Sequence, residues 1–272
     1  MYKNNKKRCL MEIWQAIVLG VVQGISEFLP ISSSGHLAVL QVVFGMSLHG
    51  ITFDIFLHVG SLVAVFVVFW KDIWNLIRNP FQKITAMLII GTIPAVILGF
   101  LLRSHMDGLQ HGVFLAIAFT FTGAMLIFAD GITGSIKTEK EMTYIDALMV
   151  GLMQALAIPP GVSRSGSTIT GALMRGLDRE TAARFSFLLS IIAILGAGAL
   201  EAIDVIREPE TISYIPAYIV GFVAAAVSGY FSIRLLLKLI KKAQLKHFSY
   251  YLFVLAAFIL LDRFVLNLFF VR

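Results

Sequence analysis

Six stretches of this chain, about 51–70, 84–102, 112–129, 181–203, 214–236 and 248–270, stay apolar for the roughly 20 residues a helix needs to cross a hydrocarbon core. No other feature restricts the fold as much. The run Leu62-Val63-Ala64-Val65-Phe66-Val67-Val68-Phe69 is apolar on every side, whereas a strand of a membrane β-barrel alternates apolar and polar residues. With 58% hydrophobic and 14% charged residues and a mean hydropathy of +0.86, the 272-residue chain is predicted to be an all-α polytopic membrane protein. Its one cysteine, Cys9, excludes an intramolecular disulfide framework, so helix packing alone must hold it.

Two further segments, about 12–46 and 144–178, are apolar but broken near the middle by proline, glycine and hydroxyl residues. Each half is too short to span, and non-helical backbone is tolerated at membrane depth only against protein or water. Both read as re-entrant helix-loop-helix hairpins. Shifted by 131 positions, Ala16, Gly20, Gln23, Ser32, Ser34 and Gly35 fall on Ala147, Gly151, Gln154, Ser163, Ser165 and Gly166. Weaker echoes pair Phe56 with Phe187, Gly91 and Gly99 with Gly221 and Gly229, and Asp130 with Asp262. The expectation is one integral membrane domain over 1–272: a basic leader 1–10, a first repeat 11–140 and a second repeat 141–272. Each repeat is one hairpin plus three transmembrane helices. That odd number of crossings makes the repeats inverted in topology, with the hairpins meeting near the midplane.

A formal charge of +6 could suggest nucleic acid, but the basic residues sit in short loops, where lipid headgroups and topology account for them. Loops 71–83, 130–143, 175–184 and 234–247 hold three, two, three and five Lys and Arg; loops 103–111 and 204–213 hold one each. The first set is therefore expected on the cytoplasmic side, the first hairpin on the outer face and the second on the inner. The leader, with four basic residues, starts like a signal peptide but lacks a small-residue cleavage pattern, and is read as a tail. Trp14, Trp70 and Trp74 read as interfacial anchors.

Ionisable groups inside apolar segments cost free energy and are seldom idle. Here they are Glu27, His36, Asp54, His58 and Arg164. The stretch Ser163-Arg164-Ser165-Gly166-Ser167-Thr168 opens a half-helix whose free N–H groups and positive dipole end outline an anion site, with the planar fork of Arg164 suited to phosphate oxygens. Helix capping by Ser163, Ser165 and Thr168 is the bland alternative. Gln23 and Glu27, four apart, share a helix face aimed at the break enforced by Pro30. Ser32, Ser33 and Ser34 offer hydroxyls, and His36 opens the next half-helix. Serine, histidine and carboxylate together suggest activated attack or general acid–base chemistry, and Glu27 could also hold a divalent cation. Asp54 and His58, again four apart, could support that cation. Inverted repeats with broken helices are equally the architecture of secondary transporters, so a lipid-phosphate carrier fits the same residues.

The stretches Gln23-Gly24-Ile25-Ser26-Glu27-Phe28-Leu29-Pro30-Ile31-Ser32-Ser33-Ser34-Gly35-His36 and Pro160-Gly161-Val162-Ser163-Arg164-Ser165-Gly166-Ser167-Thr168 resemble the bacitracin-resistance family of undecaprenyl-diphosphate phosphatases over nearly the whole chain beyond the first ten residues. The resemblance implies a multi-pass protein of the bacterial plasma membrane that hydrolyses undecaprenyl diphosphate to the monophosphate, the lipid carrier of cell-wall synthesis, with Mg²⁺ or Ca²⁺. Its acidic motif falls on Gln23 and Glu27, its serine-rich stretch on Ser32, Ser33, Ser34 and His36, and its arginine motif on Ser163, Arg164 and Thr168. Glutamine at the first acidic position leaves Glu27, helped by Asp54, to hold the cation. Arg164 is then expected on the diphosphate with Gln23, Ser32, Ser34, Ser163, Ser165 and Thr168 around it. Ser33 attacks while His36 or Glu27 manages the proton; His36 or water as nucleophile stays open. Undecaprenyl diphosphate and membrane lipids are the expected partners, self-association is compatible, and the site is expected to open to the external face.

Overall fold

The computed structural model describes residues 12–46, 51–102, 109, 112–207, 215–242 and 245–270; the leader 1–10 lies outside them. Among the described residues the fold is helical, with one isolated bridge between Lys137 and Leu177. In chain order the helices are α1 (Ile13–Phe28), α2 (Ser33–Val43), α3 (Ile51–Val68), α4 (Trp70–Arg78), α5 (Lys83–Leu102) and α6 (Gly112–Asp130). They continue as α7 (Tyr144–Leu156), α8 (Arg164–Met174), α9 (Arg179–Arg207), α10 (Ile215–Ile240) and α11 (Leu245–Leu261).

Helices α5, α6, α9, α10 and α11 are each long and apolar enough to cross a membrane. The expected span 51–70 is cut short: α3 ends at Val68, and α4 leaves it at 83°. From Trp70 onward the chain acquires Lys71, Asp72, Asn75 and Arg78, which cannot follow α3 through hydrocarbon. The Trp70 and Trp74 rings stack at 5.5 Å and Arg78 lies 4.9 Å over Trp74, an amphipathic arrangement suited to an interface. Trp14, Trp70 and Trp74 are all exposed.

The two broken segments form α1–α2 and α7–α8. Pro30 cannot donate into a continuing helix, and Pro159, Pro160 and Gly161, the last at φ +89°, break the second hairpin. The first hairpin's α1 lies along α10, and α7 of the second lies along α5. Glycine sets both approaches. A Cβ at Gly20 would stand 2.3 Å from the Gly221 carbonyl oxygen, and one at Gly151 would stand 2.4 Å from that of Gly91. The sequence repeat aligns Gly20 with Gly151 and Gly91 with Gly221, so the two contacts correspond to each other. Further packing joins α3 to α9 and α10, and α6 to α11, around a core that includes Phe28, Phe119 and Phe187. Val67, Val96, Phe100, Phe231 and Val254 are more than half exposed, an apolar rim that matches lipid rather than water.

The four basic loops meet at one end of the bundle. Lys83 donates to the Lys140 carbonyl, Arg184 pairs with Asp72 and Glu139, Arg179 with Asp130, and Lys241 with Glu180, while Asp130 also accepts the Leu245 N–H. At the same end the fully buried Asp146 accepts from Lys137 (2.5 Å), Arg175 (2.8 Å) and the Thr143 N–H and hydroxyl (2.8 Å each). This caps α7 and clamps the start of the second hairpin to its end.

Candidate active site

Pro30 ends α1 with Glu27 in its last turn, and Ser33 opens α2. In the other hairpin Arg164 opens α8. The two breaks pack against each other: Ser165 Oγ donates to the Leu29 carbonyl at 3.1 Å, and a Cβ at Gly35 would stand 2.9 Å from the Gly161 Cα. From α6, Thr122 Oγ1 accepts the Ser163 N–H at 3.1 Å and fixes the second loop. The N-terminal ends of α2 and α8, with their first-turn N–H groups unpaired within the helix, therefore adjoin one carboxylate.

That carboxylate is Glu27, 7% exposed. Its Oε2 accepts from Ser33 Oγ at 2.5 Å and from Gln23 Nε2 at 3.2 Å, and its Oε1 accepts from Arg164 Nη2 at 3.0 Å. His58 Nε2 stands 3.9 Å from Oε2. The Arg164 guanidinium, largely buried, also donates to the Ser186 carbonyl at 3.4 Å. A serine hydroxyl, a carboxylate in reach of its proton and an arginine beyond it form the minimal set for nucleophilic phosphoryl transfer.

The other expected residues divide by use. Ser32 and Ser163 cap α2 and α8 by accepting the Gly35 and Gly166 N–H groups at 3.4 and 3.1 Å. Thr168 Oγ1 is occupied by the Arg164 carbonyl and by Ser186 Oγ, at 2.9 and 2.6 Å, and Ser165 docks the hairpins. Ser34 is exposed, with its hydroxyl 3.4 Å from that of Ser32. His36 turns elsewhere: its Nδ1 donates to the Ser32 carbonyl at 2.7 Å, and its Nε2 lies 2.8 Å from the Tyr251 hydroxyl. Ser32 itself adopts φ +72°, ψ 102°, a backbone conformation that costs a non-glycine residue about 1–3 kcal/mol, whereas its repeat counterpart Ser163 is relaxed at φ −75°.

The Asp54 carboxylate accepts from Gln41 Nε2 at 3.1 Å and its main-chain carbonyl from His58 Nδ1 at 2.8 Å. Among the described residues no group of three or more His, Cys, Asp or Glu gathers as a ready metal cage. One atom does fit a hard cation: Gln23 Oε1 is buried without a hydrogen-bond partner beside Glu27, an oxygen donor next to a carboxylate.

Sequence reasoning missed Ser61, which accepts from Gln23 at 3.4 Å, and also Gln41, Thr122, Ser186 and Tyr251. Ser61 lies three residues after His58 on the same face of α3, a spacing that could have drawn attention to it. Nothing local marks Tyr251, 215 positions from its partner.

The family model described as bacitracin resistance protein BacA matches residues 16–258. The chain is 42% identical over 253 residues to an undecaprenyl-diphosphatase of Carboxydothermus hydrogenoformans, covering 92% of this chain and 97% of that protein. It is 42% identical over 265 residues to an undecaprenyl-diphosphatase of Methanosphaera stadtmanae, covering 89% and 95%. To undecaprenyl-diphosphatase 3 of Bacillus cereus it is 43% identical over 252 residues, covering 92% and 97%. A match of this length, running through both hairpins and the carboxylate they share, makes the chain a member of the bacitracin resistance protein BacA family.

Proposed function

We propose that this chain is an undecaprenyl-diphosphatase, hydrolysing undecaprenyl diphosphate to undecaprenyl phosphate and inorganic phosphate. The observation that carries the reading is the Glu27 carboxylate, bonded at once to Ser33 Oγ and to Arg164 Nη2, 137 residues away. A binding-only site needs the arginine but has no use for a carboxylate poised on a serine proton, which favours hydrolysis over a lipid-phosphate carrier.

In the proposed reaction Arg164 and the N–H groups opening α2 and α8 hold the diphosphate. Glu27 Oε2 takes the Ser33 proton as Oγ attacks the terminal phosphorus, the bond to the bridging oxygen breaks, and undecaprenyl phosphate leaves. Glu27 hands that proton to the departing phosphate oxygen and is a carboxylate again. Water then attacks the phosphoserine, giving its proton to the freed carboxylate, which returns it to Ser33 Oγ as the P–O bond to serine breaks and inorganic phosphate departs. A bound Mg²⁺ or Ca²⁺ would neutralise charge on the phosphate oxygens, held by Glu27 and Gln23 Oε1. The engagement of Asp54 with Gln41 favours Gln23 over Asp54 as the second ligand.

The excess of Lys and Arg in the four clustered loops supports their placement on the cytoplasmic side of a bacterial plasma membrane; in the proposed topology the two repeats are inverted and the active site opens to the external face. The matched bounds of the hairpins, α8 lying 131 positions after α2, support the repeat. The test is phosphate release from undecaprenyl diphosphate by the detergent-purified protein, with Mg²⁺ and with chelator, alongside Ser33→Ala and a rapid-quench search for phosphoserine. Metal-dependent release with a phosphoserine that Ser33→Ala abolishes is expected. No release by the folded parent would overturn the reading, and release without phosphoserine would move the attack to water.

A further inference from the structure

We infer that Tyr251 of α11 is a positioning residue for this reaction: through His36 it holds the strained turn at Ser32 that presents Ser33 to Glu27. The inference rests on the phosphatase reading above for its kinetic consequence but not for its geometry. Ser32 is a serine at φ +72°, immediately before the proposed nucleophile, so the turn persists only if its surroundings fix it. What fixes it is visible. The Ser32 carbonyl accepts twice from His36, from Nδ1 at 2.7 Å and from the main-chain N–H at 3.2 Å.

A carbonyl only accepts, so Nδ1 carries the proton, and Nε2 of the neutral ring accepts from the Tyr251 hydroxyl at 2.8 Å. The Tyr251 ring stacks on His36 at 5.6 Å and 15°, while Phe119 meets the imidazole edge to face at 5.3 Å. The Ser32 carbonyl sets the tautomer, and Tyr251, donating to Nε2 and stacking on the ring, stabilises that tautomer and fixes the orientation of the ring. The second hairpin supplies the contrast. There the register partner of His36 is Ser167, whose hydroxyl is buried without a partner, and the turn at Ser163 is relaxed at φ −75°. The relaxed turn is held by Thr122 on the Ser163 N–H, whereas the strained turn, which a nucleophile follows, is held through its carbonyl by the His36 ring.

The test is Tyr251→Phe, which keeps the stacked ring and removes the hydroxyl, measured alone and with Ser32→Gly, since glycine adopts a positive φ without support. Tyr251→Phe is expected to lower kcat about five- to tenfold with little change in KM, and to lower it much less in the Ser32→Gly background. Histidine ¹⁵N spectra, with His36 assigned by His36→Gln, should show an Nδ1–H ring in the parent and a mixture of tautomers in Tyr251→Phe. Equal losses in both backgrounds, or a parent-like kcat and an unchanged tautomer in Tyr251→Phe, would overturn the inference. If the parent releases no phosphate, the phosphatase reading fails while the tautomer measurement still decides the geometry.

Discussion

A methyl group added at Gly24 tests how tightly helix packing is coupled to the chemistry. Gly24 lies in α1 against α10, and a Cβ there would stand 2.3 Å from the Ala225 carbonyl oxygen, 2.6 Å from the Gly229 nitrogen and 2.1 Å from Ser228 Oγ. The serine can rotate away, but the other two atoms are backbone. Restoring contact near 3.4 Å requires α1 to move off α10 by about 1 Å, since packed interiors have no slack to absorb it. Glu27 follows three residues later, about 4.5 Å along the helix, so it moves with Gly24. Its contacts to Ser33 and Arg164, now 2.5 and 3.0 Å, then lengthen or tilt. Gly24→Ala should therefore cost about 1–3 kcal/mol of stability and about 10²-fold in turnover per folded molecule. The control is Gly196→Ala in α9, where a Cβ meets nothing within 4 Å; it should leave turnover unchanged and add up to about 1 kcal/mol through helix propensity. Thermal unfolding and phosphate release in one detergent measure both. Parent-like stability and turnover in Gly24→Ala would refute the reasoning, as would an equal loss in Gly196→Ala.

Glu27→Gln removes the proton acceptor and leaves the Arg164 guanidinium without its anion, so turnover should fall about 10²- to 10⁴-fold while the fold, followed by circular dichroism, persists. Gln23→Glu places a second carboxylate beside Glu27 and should shift activation by Mg²⁺ to lower concentration; an unchanged titration would remove Gln23 as a ligand. Asp146→Asn weakens the clamp with Lys137, Arg175 and Thr143, whose cations are partly exposed, and should destabilise by about 1–2 kcal/mol in thermal unfolding. With Cys9 replaced, a cysteine at Ser104 should react with an impermeant reagent on intact cells and one at Lys241 should not; the reverse pattern would invert the proposed orientation.

Much of the fold was legible because the terms that fix it act over short windows. Hydropathy over about 20 residues locates the crossings, since each side chain meets lipid or protein but not water. The bend after α3 escaped because Phe69 and Trp70 continue the apolar run with no proline or glycine at the turn, and only the polar residues from Lys71 onward announce it. In the site, Glu27 and Arg164 could be nominated from residue type, because ionisable groups are rare in such segments, whereas Ser33 was one hydroxyl of three until the family resemblance singled it out. Which hydroxyls face the open site and which cap helices could not, since Ser32, Ser34, Ser163 and Ser165 look alike in sequence and differ only in which N–H or carbonyl lies nearest.

By itself the sequence determined a helical membrane protein with two broken hairpins, because the transfer of side chains into lipid and the backbone rules for proline and glycine are local. Only the tertiary structure decided that Glu27 and Arg164 share one ion pair, that Gly20 meets Gly221 as Gly151 meets Gly91, and that Tyr251 closes on His36. Those contacts join residues 60 to 215 positions apart. They depend on the direction of side chains across helix interfaces and on backbone approach measured in tenths of an ångström, which leave no periodic trace along the chain.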